Sequence, residues 1–161
     1  MNRAAIGLGS NKGDRLANIR TAASMVGERV GALTAASGVF ETPPWGVALQ
    51  PRFLNACVIA EADMNPAGLL SKLKEIENDM GRLKRGKWGP REIDLDILLF
   101  DDIQMNEPDL IIPHQYMHER PFVLLPLSEI APDWIHPTSG MSVSELLKKS
   151  GSDGIIMITG M

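Results

Sequence analysis

The sequence predicts an α+β domain on three observations: its 161 residues are the size of one domain, short apolar runs alternate with segments of helical period, and their order is βαββαβ. Two strand–helix–strand halves in that order give a ferredoxin-like antiparallel sheet with helices on one face, followed here by a C-terminal extension. One domain, residues 1–161, is expected.

Each element has its own signal. Residues 4–9, AAIGLG, form a short apolar run, and Leu16, Ile19, Ala23, Val26 and Val30 then recur at steps of three and four, which reads as a buried strand followed by an amphipathic helix. Residues 33–41 and 53–61 are strand-like, and the segment between them is broken by three prolines and a glycine. Asn65-Pro66 supplies an N-cap and a proline at the first helical position; Leu69, Leu73, Ile76 and Met80 make one face, and Gly81 ends the helix. In 93–100, IDLDILLF, strict alternation sends Ile93, Leu95, Ile97 and Leu99 to one face and Asp94, Asp96, Leu98 and Phe100 to the other. Beyond it, 110–113 reads as a strand, 118–130 and 142–149 as helices, and 154–159 as a last strand.

Composition excludes several classes. With 44% hydrophobic and 22% charged residues the chain is not of the disordered kind. No apolar run approaches the roughly 18 residues of a membrane span, and the first residues lack the apolar core of a secretory signal, so a cytoplasmic protein without membrane contact is expected. A single cysteine, Cys57, excludes an internal disulfide and a thiolate metal cluster, and reads as a small core residue. The net charge of −4 argues against a nucleic-acid partner.

That average hides a segregation. Arg82, Lys84, Arg85, Lys87 and Arg91 are five of the 16 basic residues, and no acid lies among them. Directly after come Glu92, Asp94, Asp96, Asp101 and Asp102. A cation-rich loop beside a carboxylate-rich strand suits a phosphate chain bound with its metal ions. Asp94 and Asp96 project side by side only on a strand, and two carboxylates plus substrate phosphates are the usual ligands of Mg²⁺. An isolated D-x-D is more often a solvated strand face; the adjoining loop argues for the clamp, with Arg82 and Arg91 neutralising a transferring phosphoryl group. Trp88 stands between glycines in that basic loop, placed to cover a flat ligand. Phe53 and Asn55 share a strand face: one stacks on a ring and the other, with donor and acceptor, reads its edge. Phe122 offers a second aromatic wall. For both phenylalanines core packing is the plain alternative.

Two features carry less. Gly7-Leu8-Gly9-Ser10-Asn11-Lys12-Gly13 has G-x-G with its third glycine one residue late for the dinucleotide fingerprint, and reads as a tight turn before a helix. His114 and His118 are four apart just after Pro113, with no third zinc ligand evident. Other readings of the whole are a binding module for RNA or a regulatory ligand, and a Mg²⁺-dependent nucleotide hydrolase; the former needs no D-L-D clamp, and the latter no paired aromatic positions.

The chain resembles the 6-hydroxymethyl-7,8-dihydropterin pyrophosphokinases of folate biosynthesis. The resemblance rests on G-L-G-S-N-K-G-D, E-T-P-P-W-G, F-L-N-A, K-W-G-P-R-E-I-D-L-D-I-L-L-F and P-H-Q-Y-M-H-E-R-P-F-V-L, in that order, running to Pro132. It implies a ferredoxin-like fold and transfer of pyrophosphate from ATP to the hydroxymethyl group of the dihydropterin, releasing AMP. By the same resemblance Asp94 and Asp96 hold two Mg²⁺ ions, Arg82 and Arg91 meet the phosphates, and Phe53 and Phe122 flank the pterin. Asn55 and the backbone around Thr42, Pro43, Pro44 and Trp45 lie on the pterin edge, with Trp88 over the closed site. ATP is expected on Glu77, Lys84, Arg85, Lys87, Arg91, Ile97, His114 and Arg120. ATP and the dihydropterin are the expected partners of a monomer or weak homodimer. Phe53 stands where tyrosine is common in that family, which keeps stacking and loses a hydroxyl.

Overall fold

The computed structural model describes residues 1–42, 52–81 and 92–161. Its first half runs β1 (Asn2–Ser10), α1 (Arg15–Arg29), β2 (Leu33–Ala36), β3 (Val39–Thr42), β4 (Phe53–Ala62) and α2 (Pro66–Asp79). The second half adds β5 (Asp94–Phe100), β6 (Met105–Glu107), β7 (Leu110–Ile112), α3 (Pro121–Ile130), α4 (Val143–Ser150) and β8 (Ile156–Thr159).

Local chemistry sets the helix ends. The Asp14 side chain accepts from Ala17 N–H at 3.1 Å to start α1, and Asn65 accepts from Gly68 N–H at 2.8 Å ahead of Pro66 to start α2. Gly81 follows α2 at φ +89°, where a side chain would be strained. Ser142 and Glu145 close a reciprocal capping box on α4.

The large sheet has the order β5-β1-β4-β3-β8, with β2 pairing β4 beyond β3, and its pairings are antiparallel. This is the ferredoxin-like arrangement expected, and α1 and α2 bury one face against Ile6, Leu8, Val58 and Leu95. The extension then covers part of the opposite face: Leu124, Leu127 and Leu146 pack on Ala5, Cys57, Ile59 and Leu99. Cys57 is buried in that second core.

Four local expectations need correction. The segment 33–41 is two strands, because the ladder breaks at Ser37-Gly38: Ser37 N–H still donates to Cys57 O at 2.9 Å, but Ser37 Oγ accepts from Cys57 N–H at 2.8 Å and Gly38 N–H donates to Glu129 at 2.7 Å. A Cβ on Gly38 would lie 2.8 Å from Met157 Sδ and 3.3 Å from Thr159 O, so β8 passes close to this position and a side chain there would displace the Met157 thioether. Alternation in β5 fails after Ile97: Ile6 faces Ile97 while Ala5 faces Leu99, so Leu98 is the extra residue of a β-bulge. Leu98 and Leu99 therefore both enter the second core and Phe100 returns to the first. The turn expected over 7–13 is confined to the end of that segment, at Gly13 with φ +70°, while Gly7 and Gly9 lie inside β1, as the strand expected over 4–9 has them. The helix expected over 118–130 starts at Pro121, after a separate 3₁₀ turn at Met117–Glu119.

Candidate active site

The extension covers only one end of its sheet face, and the uncovered end is a cleft of about 520 Å³, within the roughly 300–1,000 Å³ usual for small-molecule sites. Two glycines of β1 lie in its floor. Gly7 pairs with Asp96 and Gly9 with Asp94 across β1 and β5, and the same glycines pair with Cys57 and Asn55 across β1 and β4. Two positions without side chains thus separate the carboxylates from the β4 residues, and neighbouring side chains use the space they leave: Leu98 packs over Gly7, and Asn55 and Phe53 lie against Gly9.

One wall is acidic. Asp94 and Asp96 project from β5 into the cleft, in phase because the bulge comes only after them. The His114 backbone N–H donates to Leu98 O at 2.9 Å, which brings its imidazole Nε2 to 4.0 Å from Asp96 Oδ1. Burial lowers the His114 pKa, the nearby Arg120 lowers it further, and Asp94 partly offsets them. The imidazole is therefore held neutral where an anionic phosphate would restore its affinity for a proton.

The other wall is aromatic and amide. Phe53 and Asn55 enter from β4 and Phe122 from the start of α3. The Arg120 guanidinium lies 5.4 Å from the Tyr116 ring centroid and 5.9 Å from that of Phe122, held over two π faces. Thr42, buried at the end of β3, accepts from Asn55 Nδ2 at 2.9 Å.

The structure thus gathers Thr42, Phe53, Asn55, Asp94, Asp96, His114, Arg120 and Phe122 around one cavity. It does not bring Glu77 or Ile97 to that lining. Ile97 packs into the α1/α2 core by strand alternation, and buried Glu77 accepts from Leu95 N–H at 2.8 Å under the edge of β5. Pro43, Pro44, Trp45, Arg82, Lys84, Arg85, Lys87, Trp88 and Arg91 lie outside the described residues. Sequence reasoning missed Gly7 and Gly9; the signal was available, since period 2 on β1 sets them on one face. Among the described residues no group of three or more His, Cys, Asp and Glu side chains is placed to hold a metal by itself. Asp94 and Asp96 still fit a hard divalent cation whose remaining ligands come from phosphate and water.

Residues 5–132 match the family described as 7,8-dihydro-6-hydroxymethylpterin-pyrophosphokinase, HPPK. The chain belongs to the HPPK family. It is 42% identical over 156 residues to the 2-amino-4-hydroxy-6-hydroxymethyldihydropteridine pyrophosphokinase of Methylorubrum extorquens, covering 96% of this chain and 98% of that one. It is 44% identical over 130 residues to the enzyme of the same name in Bacillus subtilis, covering 80% and 78%. Among solved structures, an HPPK-DHPS of Plasmodium falciparum with pterin and p-hydrobenzoate superposes with a TM-score of 0.76 at 18% identity, over 98% of this chain and 48% of that one. A further HPPK-DHPS in complex with substrates gives 0.74 at 17% identity, over 92% and 43%. At those identities the structural likeness speaks for the fold, and the HPPK chain here spans less than half the length of those proteins.

Proposed function

We propose that this chain transfers the pyrophosphoryl group of ATP to the hydroxymethyl group of 6-hydroxymethyl-7,8-dihydropterin, giving the pterin diphosphate and AMP for folate synthesis. One observation carries the reading: a single cleft sets the Asp94–Asp96 pair across a glycine floor from Phe53, Asn55 and Phe122. An acidic wall alone would serve any nucleotide hydrolase. The facing aromatic and amide wall calls for a flat organic acceptor instead of water.

Asp94 and Asp96 would hold Mg²⁺, two ions in this reading, which supply Lewis-acid neutralisation of the phosphate oxygens when bound. Phe53 and Phe122 clamp the pterin ring, and Asn55 reads its lactam edge. Neutral His114 and the Arg120 guanidinium meet the phosphates from the acidic side of the cleft, and Arg82, Arg91, Lys84, Arg85 and Lys87 add charge from the loop. The resemblance assigns Glu77 and Ile97 to the nucleotide and Trp88 to the pterin, Glu77 and Ile97 being buried at β5 away from the cleft lining. The hydroxymethyl oxygen attacks the β-phosphorus, the bond from that phosphorus to the α-bridging oxygen breaks, AMP leaves, and the hydroxyl proton goes to solvent. The protein's part is alignment and charge stabilisation, with no strong base needed. Residues 1–161 act as one catalytic domain in the cytoplasm, as a monomer or weak homodimer; among the described residues no helix is long and apolar enough to cross a membrane.

The deciding experiment is ³¹P NMR of the purified protein with ATP and Mg²⁺, with and without the reduced pterin. Pterin-dependent AMP and a pterin diphosphate are expected. ADP, or AMP formed equally without pterin, would assign the acidic wall to another acceptor.

A further inference from the structure

Thr42 lines the cleft, yet its side chain is only 3% exposed. The partner of its hydroxyl is not a ligand position but the Asn55 amide, whose Nδ2 donates to Thr42 Oγ1 at 2.9 Å. Sheet register explains the meeting. Thr42 stands opposite Phe53 and Phe40 opposite Asn55 in the β3–β4 ladder, so Thr42 and Asn55 are diagonal neighbours on one face. On the other side of β4, Asn55 stands opposite Gly9, and a Cβ built on Gly9 would lie 3.2 Å from Asn55 Oδ1 and 3.7 Å from the Phe53 ring. The absence of a side chain on Gly9 is what leaves room for the amide in this position.

We infer that Thr42 is a positioning residue for pterin recognition: its hydroxyl and the missing side chain of Gly9 hold the Asn55 amide from its two sides. One Nδ2 hydrogen is spent on Thr42. The second Nδ2 hydrogen and Oδ1 are, in this reading, the pair that meets a ligand edge offering a carbonyl beside an N–H. A 2-amino-4-hydroxypteridine in its lactam form has that edge. An Asn55 side chain without these two constraints samples other rotamers, and ordering it on binding costs affinity. The inference rests on the reading of Asn55 as a pterin contact, and its test separates the two.

The test is a double-mutant cycle on pterin affinity, read by fluorescence titration of the pterin, with ATP affinity measured in parallel. Thr42→Val is expected to weaken pterin binding by about tenfold, the weight of one hydrogen bond, and to leave ATP affinity in place. Thr42→Ser, which keeps the hydroxyl, restores it, and Thr42→Ala serves as a second hydroxyl-free form. In an Asn55→Ala background Thr42→Val should cost nothing more. An equal loss in that background would make Thr42 a direct contact and overturn the inference, as would a serine variant as weak as the valine one, or a parallel loss of ATP affinity. If Asn55→Ala itself binds pterin normally, the reading of Asn55 fails, and this inference with it.

Discussion

At the residue scale, the acidic pair and the histidines lead to separate measurements. Asp96 is half exposed on a strand that the bulge and both cores already hold, so Asp96→Ala should leave the far-ultraviolet circular dichroism unchanged. Mg²⁺-dependent turnover should fall by at least about a hundredfold, as when a preorganised charge is removed from a phosphoryl-transfer site; near-normal turnover would remove Asp96 from the metal site. His114 and His136 both have lowered pKa values, burial being the first cause in each and the charge of His118 the second for His136. A base whose folded pKa is lowered binds fewer protons than in the unfolded chain. Stability is then full above the unfolded value of about 6.5 and declines as pH falls from there through the lower folded values. Urea midpoints taken downward from neutral pH should fall over that window, and His136→Gln should flatten part of the slope. The site was legible here wherever residue type and period coincided, as at Asp94, Asp96, Phe53 and Asn55. Gly7 and Gly9 were passed over because a glycine contributes by what it leaves out, here the room taken by Leu98, Asn55 and Phe53, and no chemical group marks that in the sequence.

Elements were legible where one rule governed a whole segment. The period of 3.6 in α1 and α2, with their cap residues, placed both helices and the face they bury. Strict period 2 placed β5 but misplaced its last two residues, because a bulge adds one residue without any signature in residue type: Leu98, Leu99 and Phe100 are apolar whichever way they point. The break at Ser37-Gly38 was hidden for a related reason, since the group that accepts from Gly38 N–H, Glu129, stands 91 residues further along the chain. Two substitutions test the energetics at this level. Ser142→Ala removes the hydroxyl that accepts from Glu145 N–H at 3.1 Å and should cost about 1 kcal/mol by urea unfolding. Leu124→Ala empties a fully buried position on α3 and should cost about 2–5 kcal/mol, the larger part of that being the cavity left between α3 and the sheet.

For the whole molecule, the extension does two jobs at once. Leu124, Leu127 and Leu146 complete the second core, while His114, Arg120 and Phe122 from the same stretch form the mouth of the cleft. A chain ending at Pro113 would expose Ile59, Leu98 and Leu99, which are now buried beneath α3 and α4. It should show no cooperative thermal transition and should bind an exposed-hydrophobe dye, in contrast to the full chain; a cooperative melt would show that the βαββαβ unit stands alone. The shared use of one segment also bears on quality control in the cell. A product of early termination cannot persist as a folded but idle competitor that sequesters nucleotide or substrate. Without its second core it is a protease substrate, so the fault is cleared as a loss of protein and never accumulates as a poison.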